Sequence, residues 1–218
     1  LTGLCHEMRG QYPEAADAYA RSYRAEPRAD AYVRRAGILK IHLKQPDATA
    51  ADGTETGPQA VLNEFVKTLP NSFEAYLARA AYRTTYDKVS GLARARTDLE
   101  TARKLAPDEV GVLLASAQVA AELAAKDDQS TDAAKAAREA YWQEARGYLR
   151  HGLSKNPKVA TLYVALADVE ARTGDRARAI KVLEDGRKAV GADGRSEVLL
   201  ALAEQYAEAG DKAGTDDT

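Results

Sequence analysis

Ala31-Tyr32-Val33-Arg34-Arg35-Ala36 decides the fold, because it comes back as Ala75-Tyr76-Leu77-Ala78-Arg79-Ala80. Each copy sets an aromatic four residues ahead of an alanine. The same pairing of a large with a small side chain returns as Leu113 with Ala117, Tyr163 with Ala167 and Leu199 with Ala203. At a spacing of four, both side chains lie on one face of a helix, the large one packing beside the small one. A period of this kind must be sought before anything else, since one repeating unit cannot bury its apolar face alone.

A second amphipathic run follows each of the first four copies; a proline closes it after the first three, and Gly191 stands in its place after the fourth. Pro70, Pro107 and Pro157 stand six residues before Tyr76, Leu113 and Tyr163, and Pro27 stands five before Tyr32. The closing runs carry small, large and small residues at i, i+4 and i+7: Ala15, Tyr19 and Ser22; Ala95, Leu99 and Ala102; Ala145, Leu149 and Gly152. Such a seam lets neighbouring helices interlock, and proline then ends the helix.

In this order of columns the chain resembles the tetratricopeptide-repeat family. Gly3, Gly10, Ala15, Tyr19, Ser22 and Pro27 follow the family pattern, as do Tyr163, Leu166-Ala167, Gly174, Ala179, Leu183 and Gly186. Leu199, Leu202-Ala203, Tyr206 and Gly210 repeat its first half. The resemblance implies an all-α, right-handed superhelical solenoid of antiparallel helix-turn-helix repeats. Its expected units are 1–28, 29–71, 72–108, 109–158 and 159–194, with a last helix over 195–210 and a disordered tail over 211–218. Together, residues 1–210 form one solenoid.

Spacing between the large-residue columns is 44, 37, 50 and 36, against about 34 in the family. The excess falls between the two helices of a hairpin. One insertion, about 45–57, is rich in turn formers and predicts a solvated loop unable to order itself; deleting Asp47 to Glu55 is expected to cost little. The other, about 126–139, offers Ser130, Thr131 or Asp132 as a cap, and predicts a long helix from near Thr131 to about Lys155.

Composition narrows the function. Charged residues are 29% and net charge is -2, with mean hydropathy -0.46. Up to Pro107 there are 16 Lys+Arg against 13 Asp+Glu, and beyond it 15 against 20. Neither half is the dense basic face of a nucleic-acid binder. No apolar run approaches the ~18–20 residues needed to span a bilayer. The single Cys5 fits a reducing compartment, and with no signal peptide visible the cytoplasm is the favoured localisation, although the missing initial Met makes the N-terminus look truncated. The Ala- and Arg-rich style points to a bacterial source.

Chemistry-bearing residues are scattered. His6, His42 and His151 fall in different repeats, and no pair has the i, i+4 spacing of a helical metal site. Cys5 lacks a converging base. The reading is therefore of no catalytic, cofactor-binding or metal-binding residues, and of carboxylates on solvated faces, as in Glu100 with Lys104 and Glu184 with Lys188. Trp142 is expected to pack the long helix of the fourth unit.

What the resemblance implies instead is a protein partner. In the family the first helix of each repeat lines a concave binding face. By register, the partner-binding candidates here are Val33, Arg34, Gly37, Lys40, Leu77, Ala81, Thr84, Leu114, Gln118, Val164, Asp168 and Arg172, continued by Leu200, Glu204 and Glu208. Family members that grip a C-terminal carboxylate converge Lys, Asn and Arg from successive first helices. Here only Arg34 sits in such a place, while Ala78, Ala81 and Gln118 occupy corresponding columns. The expected function is a non-catalytic scaffold binding a peptide or partner domain. The alternative is a structural spacer or self-association module, a homo-oligomer, serving a catalytic or signalling domain outside this segment.

Overall fold

The computed structural model describes residues 2–49, 53–87, 89–126 and 131–213, with side chains of 211–213 excepted. Ser130 and the 214–218 end of the expected tail lie outside the described residues. Among the described residues the chain is all-α but for one pair of two-residue strands, and it divides into two compact units, Leu1–Leu105 and Ala106–Thr218.

The first unit holds α1 (Thr2–Met8), α2 (Tyr12–Ala25), α3 (Ala29–Ile41), α4 (Pro58–Thr68), α5 (Phe73–Tyr86) and α6 (Gly91–Leu105). Each helix packs on the next, and α3 also meets α5. The core is aromatic: the Tyr23 and Tyr32 rings stack at 3.9 Å, and Tyr32 stacks in turn on Phe65 at 4.6 Å. One ring column thus ties α2, α3 and α4, which is why the large-residue position of this unit is an aromatic. Gly3 is small of necessity, since a Cβ there would come within 2.8 Å of the Tyr19 ring.

The second unit holds α7 (Val110–Lys126), α8 (Asp132–Lys155), α9 (Ala160–Arg172), α10 (Arg176–Ala189) and α11 (Ala192–Ala213). Here α7 packs on α8 and α9, α9 on α10 and α11, and α10 on α11. Trp142 of α8 is buried with Leu149, Leu162, Leu166 and Val169. Thr131 caps α8 by accepting the Ala134 N–H at 3.1 Å, so the long helix begins where a hydroxyl can take up its first free amide.

Two turns, α1–α2 and α9–α10, follow one rule. Gly10 and Gly174 take φ of 71° and 89°, and the next N–H reaches back five residues, from Gln11 to His6 and from Asp175 to Glu170. That is the left-handed glycine end of a helix, at which a Cβ would be strained.

Two expectations change. Between α3 and α4, strand β1 (Ala48–Thr49) pairs antiparallel with β2 (Glu55–Thr56). The segment stays exposed yet is fastened, because Asp47 accepts the Tyr82 hydroxyl at 2.6 Å and the Gln59 N–H at 2.7 Å. A short polar insertion needs no core of its own when one carboxylate reaches a neighbouring helix. In α11, Leu199 is 42% exposed, while Val198 and Leu202 are buried. The seam runs one residue earlier than the repeat columns predict, since no proline sets the entry and α11 starts directly after Val190-Gly191.

Candidate functional site

In the first unit the expected partner-binding residues lie on α3 and α5, two helices in direct contact. Val33 is 46% exposed and Ala81 is exposed, while Leu77 and Thr84 are half-buried. Gly37 has open space where a Cβ would stand. The Thr84 hydroxyl donates back to the Ala80 carbonyl at 3.0 Å, so its proton is engaged and only its lone pairs face a ligand.

Both cations in this set are engaged. Arg34 donates to Glu7 at 3.1 Å, and Glu7 also accepts the Tyr19 hydroxyl at 2.8 Å. Tyr19 and Glu7 together hold the Arg34 guanidinium above its ordinary pKa; burial and Glu7 push Tyr19 up as well. Lys40 places Nζ 4.9 Å from the Tyr86 ring centroid and 5.7 Å from that of Tyr82. Register marks Arg34 and Lys40 as cationic contacts; it has no means of showing the acidic and aromatic groups that hold them.

In the second unit, Leu114 and Val164 are half-buried against the cores of α7–α9 and α9–α11. Gln118 is exposed and donates to Glu122 at 3.2 Å. Asp168 and Arg172 pair at 3.6 Å, and Arg172 lies over the Trp142 ring at 5.2 Å. On α11, Leu200, Glu204 and Glu208 are exposed, and Glu208 accepts from Arg176 at 2.5 Å.

Each histidine has its own partner. His6 bonds Gln11, His42 stacks on Tyr12, and His151 meets Asp108 at 2.7 Å. Among the described residues no three His, Cys, Asp or Glu side chains come together to hold a metal. Among them, too, no helix is long and apolar enough to cross a membrane.

Solved structures place this arrangement of hairpins. A thermophilic TPR protein of Thermus thermophilus aligns with a TM-score of 0.60 at 18% identity, over 94% of this chain and 95% of that one. Yeast Tom70 aligns with a TM-score of 0.66 at 15% identity, over 97% of this chain but 39% of that one. A tetratricopeptide repeat protein of Parabacteroides merdae aligns with a TM-score of 0.56 at 17% identity, over 98% and 75%. The fold is that of the tetratricopeptide-repeat proteins. No family model matches the sequence. No curated protein matches it either.

Within this tetratricopeptide-repeat fold two carboxylates break the expectation of solvated acidic residues. Asp98 of α6 is buried and takes Arg79 at 2.7 Å and Arg83 at 2.6 Å. Burial lowers the pKa of Arg83, against the opposing pull of Asp98. Glu170 of α9 is buried completely, with Arg146, Arg150 and Arg178 around it at 2.9, 3.3 and 3.8 Å. The pairs expected from spacing alone also differ: Glu100 pairs with Arg96, and Lys188 with Asp185. An i+4 and an i−4 or i−3 partner are both within reach on a helix, and spacing alone does not choose between them.

Proposed function

We propose that this chain is a non-catalytic scaffold that binds another polypeptide along the open sides of its first helices, α3 and α5 in one unit and α7, α9 and α11 in the other. The observation that supports it best is the exposure of apolar first-helix residues, Val33 at 46% and Leu200 at 64%. An apolar side chain gains by being covered. Arg34, Gly37, Lys40, Leu77, Ala81 and Thr84 would flank the partner on the first unit, and Leu114, Gln118, Val164, Asp168 and Arg172 on the second.

The engaged state of Arg34 and Lys40 shapes the mode. With Glu7 on one and Tyr86 under the other, neither presents a bare charge to a terminal carboxylate. An extended or helical segment contacting small and apolar positions fits better.

A photo-reactive side chain at Val33 or Ala81 tests the proposal, with Arg21 of α2 as the exposed control. Cross-linking to a distinct polypeptide from Val33 and Ala81, and not from Arg21, supports it. Cross-linking only to a second copy, with a matching dimer by light scattering, would establish self-association and overturn it.

A further inference from the structure

A cleft of about 520 Å³ opens in the first unit between α2, α3, α4 and the β1–β2 hairpin, lined among others by Arg24, Arg35, Lys67, Glu55, Glu64 and Thr56. It lies on the other side of α3 from the residues of the proposed partner face. Arg35 and Leu39 stand two positions beyond Val33 and Gly37, about 200° further round a helix of 3.6 residues per turn. The insertion that lengthens this repeat builds one wall, so the cleft exists only because the hairpin is there.

Its charges are unevenly satisfied. The two carboxylates already have partners: Glu64 accepts the Tyr23 hydroxyl at 3.2 Å, and Glu55 accepts Asn63 at 2.6 Å. The cations do not. Arg24, Arg35 and Lys67 form no ion pair among the described residues. Arg35 donates to the Tyr23 hydroxyl, and its sheltered Nε has no acceptor there. Three cations against two carboxylates leave a surplus of one positive charge. That surplus suits the single charge of one carboxylate better than the two charges that a phosphate concentrates on one group, which Glu55 and Glu64 would repel. A guanidinium also meets a carboxylate side by side, with two hydrogen bonds. Leu39 and Val61 supply an apolar floor on which the methylenes of a side chain can rest.

We propose that this cleft is a second binding site, which takes a carboxylate side chain from an acidic segment of a partner polypeptide. The polypeptide source rests on the scaffold reading above; the carboxylate chemistry rests on the cleft itself. A free dicarboxylate would meet the same groups, so the experiment carries both.

The test is a titration of the isotope-labelled chain, followed by amide NMR shifts, with a tetraglutamate peptide, with tetraglutamine and with glutarate. Tetraglutamate is expected to move the amides around Arg35, Thr56 and Glu64, and tetraglutamine to move none. The double variant Arg24→Glu/Lys67→Glu changes two exposed side chains, so it should keep the native helix content and bind at least tenfold more weakly. Ala60→Tyr, which narrows the cleft without touching a charge, should weaken binding as well. Shifts scattered away from the cleft, or equal affinity in both variants, would overturn the site. Glutarate binding as tightly as the peptide would overturn the polypeptide source. Cross-linking from Val33 and Ala81 is read on the opposite side of α3, so a failure there and a failure here remain distinct.

Discussion

Arg146 Nε stands 2.9 Å from the carboxylate of Glu170, a side chain with no accessible surface at all. The guanidinium also donates to the Thr173 hydroxyl at 2.8 Å, at the end of α9 where the chain turns into α10. One ion pair therefore ties α8, α9 and the hairpin turn together. Removing the carboxylate leaves buried Arg146 with only the exposed Glu139, 3.4 Å away, as counter-charge. Glu170→Ala is expected to destabilise the second unit by about 3–5 kcal/mol. Arg178→Ala removes a more exposed partner at 3.8 Å and should cost under about 1 kcal/mol. Trp142, the sole tryptophan, lies in the same unit, so its fluorescence during urea unfolding reads both variants.

This ion pair also marks where the sequence stops being readable. Large and small columns at a spacing of four locate Tyr32 with Ala36, Leu113 with Ala117 and Tyr163 with Ala167, and five of those six side chains are buried. Local periodicity suffices there, because neighbours along one helix decide what is covered. Asp98 and Glu170 show the opposite case. Their arginines are 15 to 24 residues away for the closest pairs, on other helices, and nothing in the spacing of charges announces which carboxylate turns inward. In α11 the column reading misses by one residue, since Val198 rather than Leu199 is covered. For the candidate site, register names exposed first-helix positions such as Val33 and Ala81. It does not reveal Glu7 beside Arg34, or the cleft behind Arg35, because both depend on segments brought together by folding.

Two glycines inside helices should answer the same substitution with opposite signs. A Cβ at Gly186 would stand 2.7 Å from Cγ and 2.9 Å from Cβ of Tyr163, atoms too near the backbone to swing aside. Gly186→Ala should therefore cost about 1–3 kcal/mol through overpacking. At Gly147 a Cβ meets nothing within 4 Å, and Gly147→Ala should stabilise α8 by about 0.5–1 kcal/mol. Urea midpoints read through Trp142 would show a fall for the first and a rise for the second. A rise for both would mean that α9 and α10 are not as close as the structure has them.

Asp87 should make the first unit sensitive to acid. It accepts the Ser90 N–H at 3.0 Å, the Ser90 hydroxyl at 2.9 Å and the Val89 N–H at 3.2 Å, and Arg94 lies 3.2 Å away. The Ser90 amide above all holds its carboxyl below the usual range. A depressed folded pKa contributes stability above the unfolded value of about 3.9, and that contribution is lost as pH falls through the folded value. Wild type should exceed Asp87→Asn in stability at pH 7, with the difference closing below about pH 4. Hydrogen exchange of the α5 and α6 amides between pH 3 and 7 is the measurement. A difference independent of pH would show that the hydrogen bonds matter and the charge does not.

The fastening of the hairpin should show as coupling between Asp47 and Tyr82. The carboxylate accepts the buried hydroxyl at 2.6 Å and the Gln59 N–H at 2.7 Å, and a charged acceptor makes each bond stronger than a neutral one. Burial first, and then Asp47, raise the Tyr82 pKa well above the usual 10.0. A raised folded value means that the tyrosine supports the fold below pH 10, and that this support is lost as pH rises through the folded value. Asp47→Ala is expected to cost about 1.5–3 kcal/mol, and excision of 47–55 at least as much, where a loose loop would cost little. Tyr82→Phe removes the donor and keeps the ring over which Lys40 lies. In a double-mutant cycle followed by circular dichroism, the two substitutions should interact by about 1 kcal/mol. Strict additivity would mean that the hairpin is held by its bonds to Gln59 and Asn63 of α4 and not by Tyr82.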